Sequence, residues 1–222
     1  MSNNKKSILS AIAVILLVLG GWYLLSQRAV SKNPGSGEVV AKVNGEDIYR
    51  NDLETAKTQI EADQGVTATS TEAESQVEQL AMDSLIARVL LVQATQSAGI
   101  TASSTAVDAQ IETTKGQFES PEAYAQALSK EGITEDDLRQ EVGENMAIQT
   151  YLDQELNLGS IGVTDEEIQT AYDQVAASQT DVPALTEVQD QVKKLILQEK
   201  QQKLVDDLIK KLRSEAQVEI LI

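Results

Sequence analysis

The chain has 222 residues, 41% hydrophobic and only 3% aromatic, with a formal net charge of −17 and neither Cys nor His. Those two absences remove disulfides, thiolate chemistry and the commonest general base and metal ligand, so that carboxylate-only chemistry or a Ser–Lys pair is what remains of the enzyme repertoire. The first 32 residues hold four basic groups and no acid, leaving 14 basic against 35 acidic residues beyond them, a balance that repels phosphate backbones and argues against nucleic acid as a partner.

The opening stretch KKSILSAIAVILLVLGGWYLLSQR carries two lysines and then 18 largely apolar residues, 8–25, without a charge. As a helix they span about 27 Å, close to the roughly 30 Å hydrocarbon core of a bilayer. Trp22 and Tyr23 fall where an interfacial aromatic belt belongs. Lys5 and Lys6 argue for a cytoplasmic amino terminus, and Arg28 and Lys32 on the far side argue against it. A cleaved signal peptide ending near Ser31 is the rival reading, but its apolar core is usually about 7–15 residues, so the length favours a retained single-pass anchor over 1–28. Both readings place the rest of the chain outside the cytoplasm. Residues 29–38, rich in Pro, Gly and Ser, form a flexible tether.

VVAKV then predicts a strand, Asn44-Gly45 the tightest hairpin turn, and EDIY the returning strand. A hairpin alone is marginal in water, and the best candidate for a third strand is VEIL, 218–221. Asn51 and Glu54 predict a capping box opening a helix. Thr71 and Glu74 open a long helix that ends at Gly99, and a short one follows Ser103 or Ser104. Ser120-Pro121 starts a helix that stops at Gly132. Thr134 with Asp137 and Thr164 with Glu167 open two more, and a final long helix runs from about 186 to 214. The expected fold is mainly α, with a small antiparallel sheet made by the hairpin and the last strand.

Two helices are informative. Between Val77 and Val92 apolar residues cover nearly the whole circumference, which predicts the centre of the helical body. Arg88, set among them, is expected to pair with a carboxylate or to snorkel outward. In the last helix Val188, Val192, Leu195 and Ile196 share one face, while Leu204, Val205, Leu208, Ile209 and Leu212 share nearly the opposite one. The acidic runs 135–137 and 165–167 sit just inside helix starts, where the helix dipole accounts for them; their spacing matches no EF-hand loop.

In order, these segments resemble the SurA/PrsA-type family of extracytoplasmic chaperones and foldases. The resemblance is carried by VVAKVNGEDIYRNDLE, the long helix around 82–91, GITASSTAVDAQI, GITEDDLRQEVGENMAIQTYLDQEL, VTDEEIQTAYDQV and QVKKLILQEKQQKLVDDLIKKLRSEAQVEILI. It covers most of residues 38–222. It implies a SurA N-terminal-like helical domain over 39–177, with a returning helix and strand over 186–222 packed on it. Full-length relatives insert a parvulin-type prolyl isomerase domain between those parts. Here the gap is AASQTDVPAL, with a short linker at 178–185, whereas even a small domain needs about 50 residues. The parvulin site is also His-rich. No prolyl isomerase activity is therefore expected, nor any catalytic residue, cofactor or metal.

The resemblance implies a membrane-anchored holdase for unfolded or newly exported polypeptides. Met82, Ile86, Leu90, Met146 and Tyr151 are the candidate client-binding residues. Met adapts its shape to varied partners, and Tyr151 points away from the apolar stripe of its helix; ordinary core is the competing reading of each. The alternative function is a non-catalytic adaptor that organises one cell-envelope partner.

Overall fold

The computed structural model describes residues 37–64, 70–178 and 182–222. The expected membrane span over 8–25 lies outside the described residues, as does most of the tether. Among the described residues no helix is long and apolar enough to cross a membrane. They form seven α-helices, one short 3-10 turn and three strands.

Strand β1 (Val39–Val43) turns through Asn44 and Gly45 into β2 (Glu46–Tyr49). Both turn residues adopt positive φ, 51° and 85°, as a two-residue turn matched to strand twist requires. Strand β3 (Val218–Ile220) joins β1 antiparallel on its other side, giving the order β2-β1-β3. Ala41 pairs with Ile220, Lys42 with Glu219 and Val43 with Val218. The hairpin thus receives its third strand from a segment about 175 residues downstream.

Helix α1 (Arg50–Gln64) leaves β2 without a break. The Arg50 N–H donates to the Glu38 carbonyl at 2.8 Å and its guanidinium meets the Glu38 carboxylate at 3.0 Å. Winding therefore starts at Arg50, and Asn51 lies inside the first turn rather than at the expected cap. Helix α2 (Thr71–Ser97) is capped by Ser70, one residue ahead of the expected Thr71; its hydroxyl accepts from the Ala73 N–H at 3.2 Å. Gly99, with φ 68°, follows its end.

Ser103 caps α3 (Ser104–Lys115), and Ser120 caps α4 (Pro121–Glu131), where proline fills the first turn. Helices α5 (Glu135–Leu156) and α6 (Asp165–Ser178) begin with reciprocal capping boxes. The Asp137 carboxylate accepts from the Thr134 N–H at 2.8 Å, and the Thr134 hydroxyl accepts from the Asp137 N–H at 3.1 Å. Thr164 and Glu167 repeat the exchange at 2.9 and 3.3 Å. Helix α7 (Leu185–Glu215) leads to β3.

The described residues divide into two compact units, one of those up to 151 together with 211–222, the other of those within 152–210. In the first unit the inner faces of β1 and β2 pack with Leu53 of α1 and with Ala81, Met82, Ile86 and Leu90 of α2. Leu212, Ala216 and Val218 close this core from the carboxy-terminal side. Asn44 holds the corner. Its amide Nδ2 donates to Gln93 Oε1 at 2.7 Å, and its Oδ1 accepts from the Gln217 N–H at 2.9 Å. Arg213 reaches Asp83 on α2 at 2.6 Å. A smaller cluster joins Val107 and Ile111 of α3 to Val142 of α5, with Leu138 and Met146 at its margin. Arg88 does find a carboxylate, bonding Glu144 and Asn145 of α5 at 3.2 Å each.

In the second unit Leu158 and Ile168 are buried. Lys200 of α7 donates to the Gly162 carbonyl at 2.9 Å and pairs with Glu167 at 2.6 Å. The Tyr172 hydroxyl donates to the Pro183 carbonyl at 2.7 Å. The two faces expected of α7 are unequal in burial. Val205 and Leu208 are buried, Val188, Val192 and Ile196 are half-buried, and Leu195 and Leu204 are exposed. Leu204 departs from its stripe because a helix turns about 100° per residue, enough to carry it out beside buried Val205.

Candidate functional site

A groove of about 280 Å³ opens in the first unit between α2, the segment that follows it, and α5. Val92, Thr95 and Gln96 come from the last turns of α2, and Ile100, Thr101 and Ala102 from the segment beyond Gly99. Helix α5 contributes Arg139, Gln140, Gly143, Glu144, Ala147 and Ile148. The hollow has a local cause. Gly143 and Ala147 are one turn apart, so α5 presents two small residues where larger ones would fill the space. The buried Thr95 hydroxyl is turned back to its own helix, donating to the Leu91 carbonyl at 2.7 Å.

The charges at the rim are already paired. Arg139 forms an ion pair with Asp108 and a longer one, 3.5 Å, with Glu135. Glu144 is held by Arg88 and accepts from Gln140 at 3.0 Å. An apolar side chain entering the groove therefore strands no lone charge, the main penalty of burial next to ionised groups. Close by on α5, burial pushes the Glu141 carboxyl above its usual range; the Arg88 charge opposes the shift and Glu144 reinforces it.

Nothing in this arrangement is a nucleophile held by a base, the minimum for covalent catalysis. Among the described residues no cluster of acids is arranged to hold a metal ion. The acidic runs are engaged in the fold instead. Hydrogen bonds from the Thr134 hydroxyl and N–H hold Asp137 below the usual carboxylate range, and Lys200 followed by the Thr164 N–H does the same for Glu167. Glu135 accepts from Lys115 at 2.9 Å.

The structure does not bring the five expected client-binding residues together, and none lines the groove. Met82, Ile86 and Leu90 are 4%, 1% and 3% exposed, packed in the core beneath the sheet, so in this conformation they offer a client no surface. The face that made them look available is the face the hairpin covers. Met146 is half-buried beside the α3–α5 cluster. Tyr151, expected to be exposed, is half-buried and engaged with its surroundings. The groove residues were missed by sequence reasoning; the one signal available was the Gly143-x3-Ala147 spacing on α5.

A family profile described as SurA-like N-terminal domain matches residues 1–152. The chain belongs to that family. The SurA-like N-terminal domain match ends one residue past the first segment of the first unit, and it contains the groove. Membership points to a chaperone-type role in general terms. No curated protein matches the chain.

Proposed function

We propose that the protein is a membrane-anchored, extracytoplasmic holdase that binds unfolded or newly exported polypeptides without ATP and without prolyl isomerase activity. The observation that carries this reading is an apolar groove, its rim charges internally paired, inside a SurA-like N-terminal domain. Three further features support it. The apolar run over 8–25 is long enough to tether the chain where exported polypeptides emerge. Transient cover of apolar segments competes with their aggregation. The acidic surface keeps a protein that binds apolar chains soluble, and biases it towards neutral or basic clients.

The test uses the full-length chain in nanodiscs of zwitterionic lipid, mixed with a chemically unfolded secreted protein whose aggregation is followed by light scattering. Suppression without ATP is expected, weakened by Ile100→Glu, which places a charge in the groove. No suppression at several-fold excess, or capture of a single stoichiometric partner in its place, refutes the holdase reading in favour of an adaptor. Prolyl-peptide isomerisation should proceed at the uncatalysed rate.

A further inference from the structure

We propose that the outer edge of β3 is a second client site, which captures an extended, neutral or basic segment of unfolded polypeptide as a fourth strand of the sheet. This rests on the holdase reading and adds a site separate from the groove.

The register decides which backbone groups are free. The Asn44 N–H donates to the Gln217 carbonyl at 2.8 Å, and the Leu221 N–H to the Val40 carbonyl at 2.9 Å. Residues 217, 219 and 221 therefore face β1, and the alternation of an antiparallel ladder turns the N–H and C=O groups of Val218 and Ile220 away from it. Among the described residues no strand lies beyond β3. Ile220 and Leu221 are 51% and 53% exposed. Sheet edges are normally blunted by short length, charged side chains, proline or a bulge; β3 is short and carries Glu219, which turns away acidic strands, but it has no lysine or proline, and the irregularity in this sheet lies between β1 and β2. An open edge with apolar side chains is what strand addition uses, backbone bonds giving affinity for any sequence.

Charge selects the occupant. Glu215, at the end of α7, and Glu219, in the middle of β3, are exposed and form no salt bridge among the described residues, although Glu219 faces Lys42 across the β1–β3 pair and interacts with its charge. The nearby cations are taken, Lys42 by Asp47 and Arg213 by Asp83. Lys42 is shared between Asp47 and Glu219, which leaves acid in excess along this edge; a basic strand relieves that excess, whereas a second copy brings another net −17 to the same edge. With only three residues in β3, few bonds form per encounter, so capture is brief.

Ile220→Pro tests the edge selectively. It removes an outward N–H and no bond to β1, and edge strands tolerate proline there. The probe is a fluorescent eight-residue peptide of alternating valine and lysine, beside the same peptide N-methylated at every residue so that neither edge can donate. Anisotropy is measured with the full-length chain in zwitterionic nanodiscs. Ile220→Pro should weaken binding by about five- to tenfold, the loss of one backbone hydrogen bond, and the methylated peptide by more, since the outward carbonyls of both Val218 and Ile220 lose their donors. In the unsubstituted protein the peptide should slow hydrogen exchange at the Val218 and Ile220 amides, a readout that stands even if the proline variant does not fold. Equal binding of both peptides, or binding lost only in Ile100→Glu, overturns the proposal while leaving the holdase intact. Protection of those amides that rises with protein concentration in the absence of peptide overturns it in favour of self-pairing. Failure of the unsubstituted protein to suppress aggregation removes the holdase reading on which the proposal rests, and is a different result from any of these.

Discussion

Replacing Asn44 with alanine isolates the corner that joins the hairpin, α2 and the last strand. Two side-chain hydrogen bonds disappear, one to Gln93 and one from the Gln217 N–H. Each is worth about 0.5–1.5 kcal/mol, and because both are exposed water replaces part of them. Alanine must also hold the positive φ of 51°, which costs a residue with a Cβ about 1–2 kcal/mol. The expected loss is about 2–4 kcal/mol. Asn44→Gly removes the same two bonds but accepts the left-handed backbone, so it should recover about 1 kcal/mol relative to alanine. Native-state hydrogen exchange at the Leu221 amide reads opening of the β1–β3 pair, and urea unfolding followed by circular dichroism reads the rest. An alanine variant within about 0.5 kcal/mol of the unsubstituted protein, below the worth of one such bond, would refute the idea that this corner clasps the sheet. Equal damage from glycine and alanine would refute the conformational part alone.

Ile86→Ala empties a site in the main core and should cost about 2–5 kcal/mol by urea unfolding; a loss below that range would mean the core refills. Glu141→Gln should raise the melting temperature at neutral pH. Burial lifts the folded pKa of Glu141 above its ordinary value, so the folded state binds the extra proton and the penalty grows as pH rises through that window. Below the ordinary value the variant and the unsubstituted protein should melt alike. Glu167→Gln should act in the opposite sense. Lys200 and Thr164 depress the Glu167 pKa, so its contribution is present above the ordinary carboxylate value and lost as pH falls through the folded one. The substitution should flatten that acid limb of the stability profile, and an unchanged limb would show that the Lys200 contact adds nothing.

Much of the fold was legible because its signals are local. Asn44-Gly45 announced a turn that needs two positive φ angles, and alternation on either side announced the strands. The third strand followed from an elementary deficit: two strands bury too little. Capping signals were readable to within one residue. Ser70 and Thr71 are both competent caps, and Arg50 entered α1 because the Glu38 carbonyl, a tertiary neighbour, took its N–H. The functional surface was much less legible. Periodicity shows that Met82, Ile86 and Leu90 share a face, but not that the hairpin will cover it. The groove arises from what Gly143 and Ala147 lack, and a hydrophobicity pattern records what side chains are present. The edge of β3, unpaired among the described residues, depends on register, which only the assembled sheet defines.

The wide separation of β1 from β3 along the chain has a consequence for biogenesis. Translation delivers residues in order at about 5–20 per second, so β1 waits roughly 10–35 s for the segment that completes its sheet. During that interval the hairpin and the apolar face of α2 have no carboxy-terminal cover. A protein proposed to shelter incomplete chains is itself, while being made, an incomplete chain that must stay clear of its neighbours.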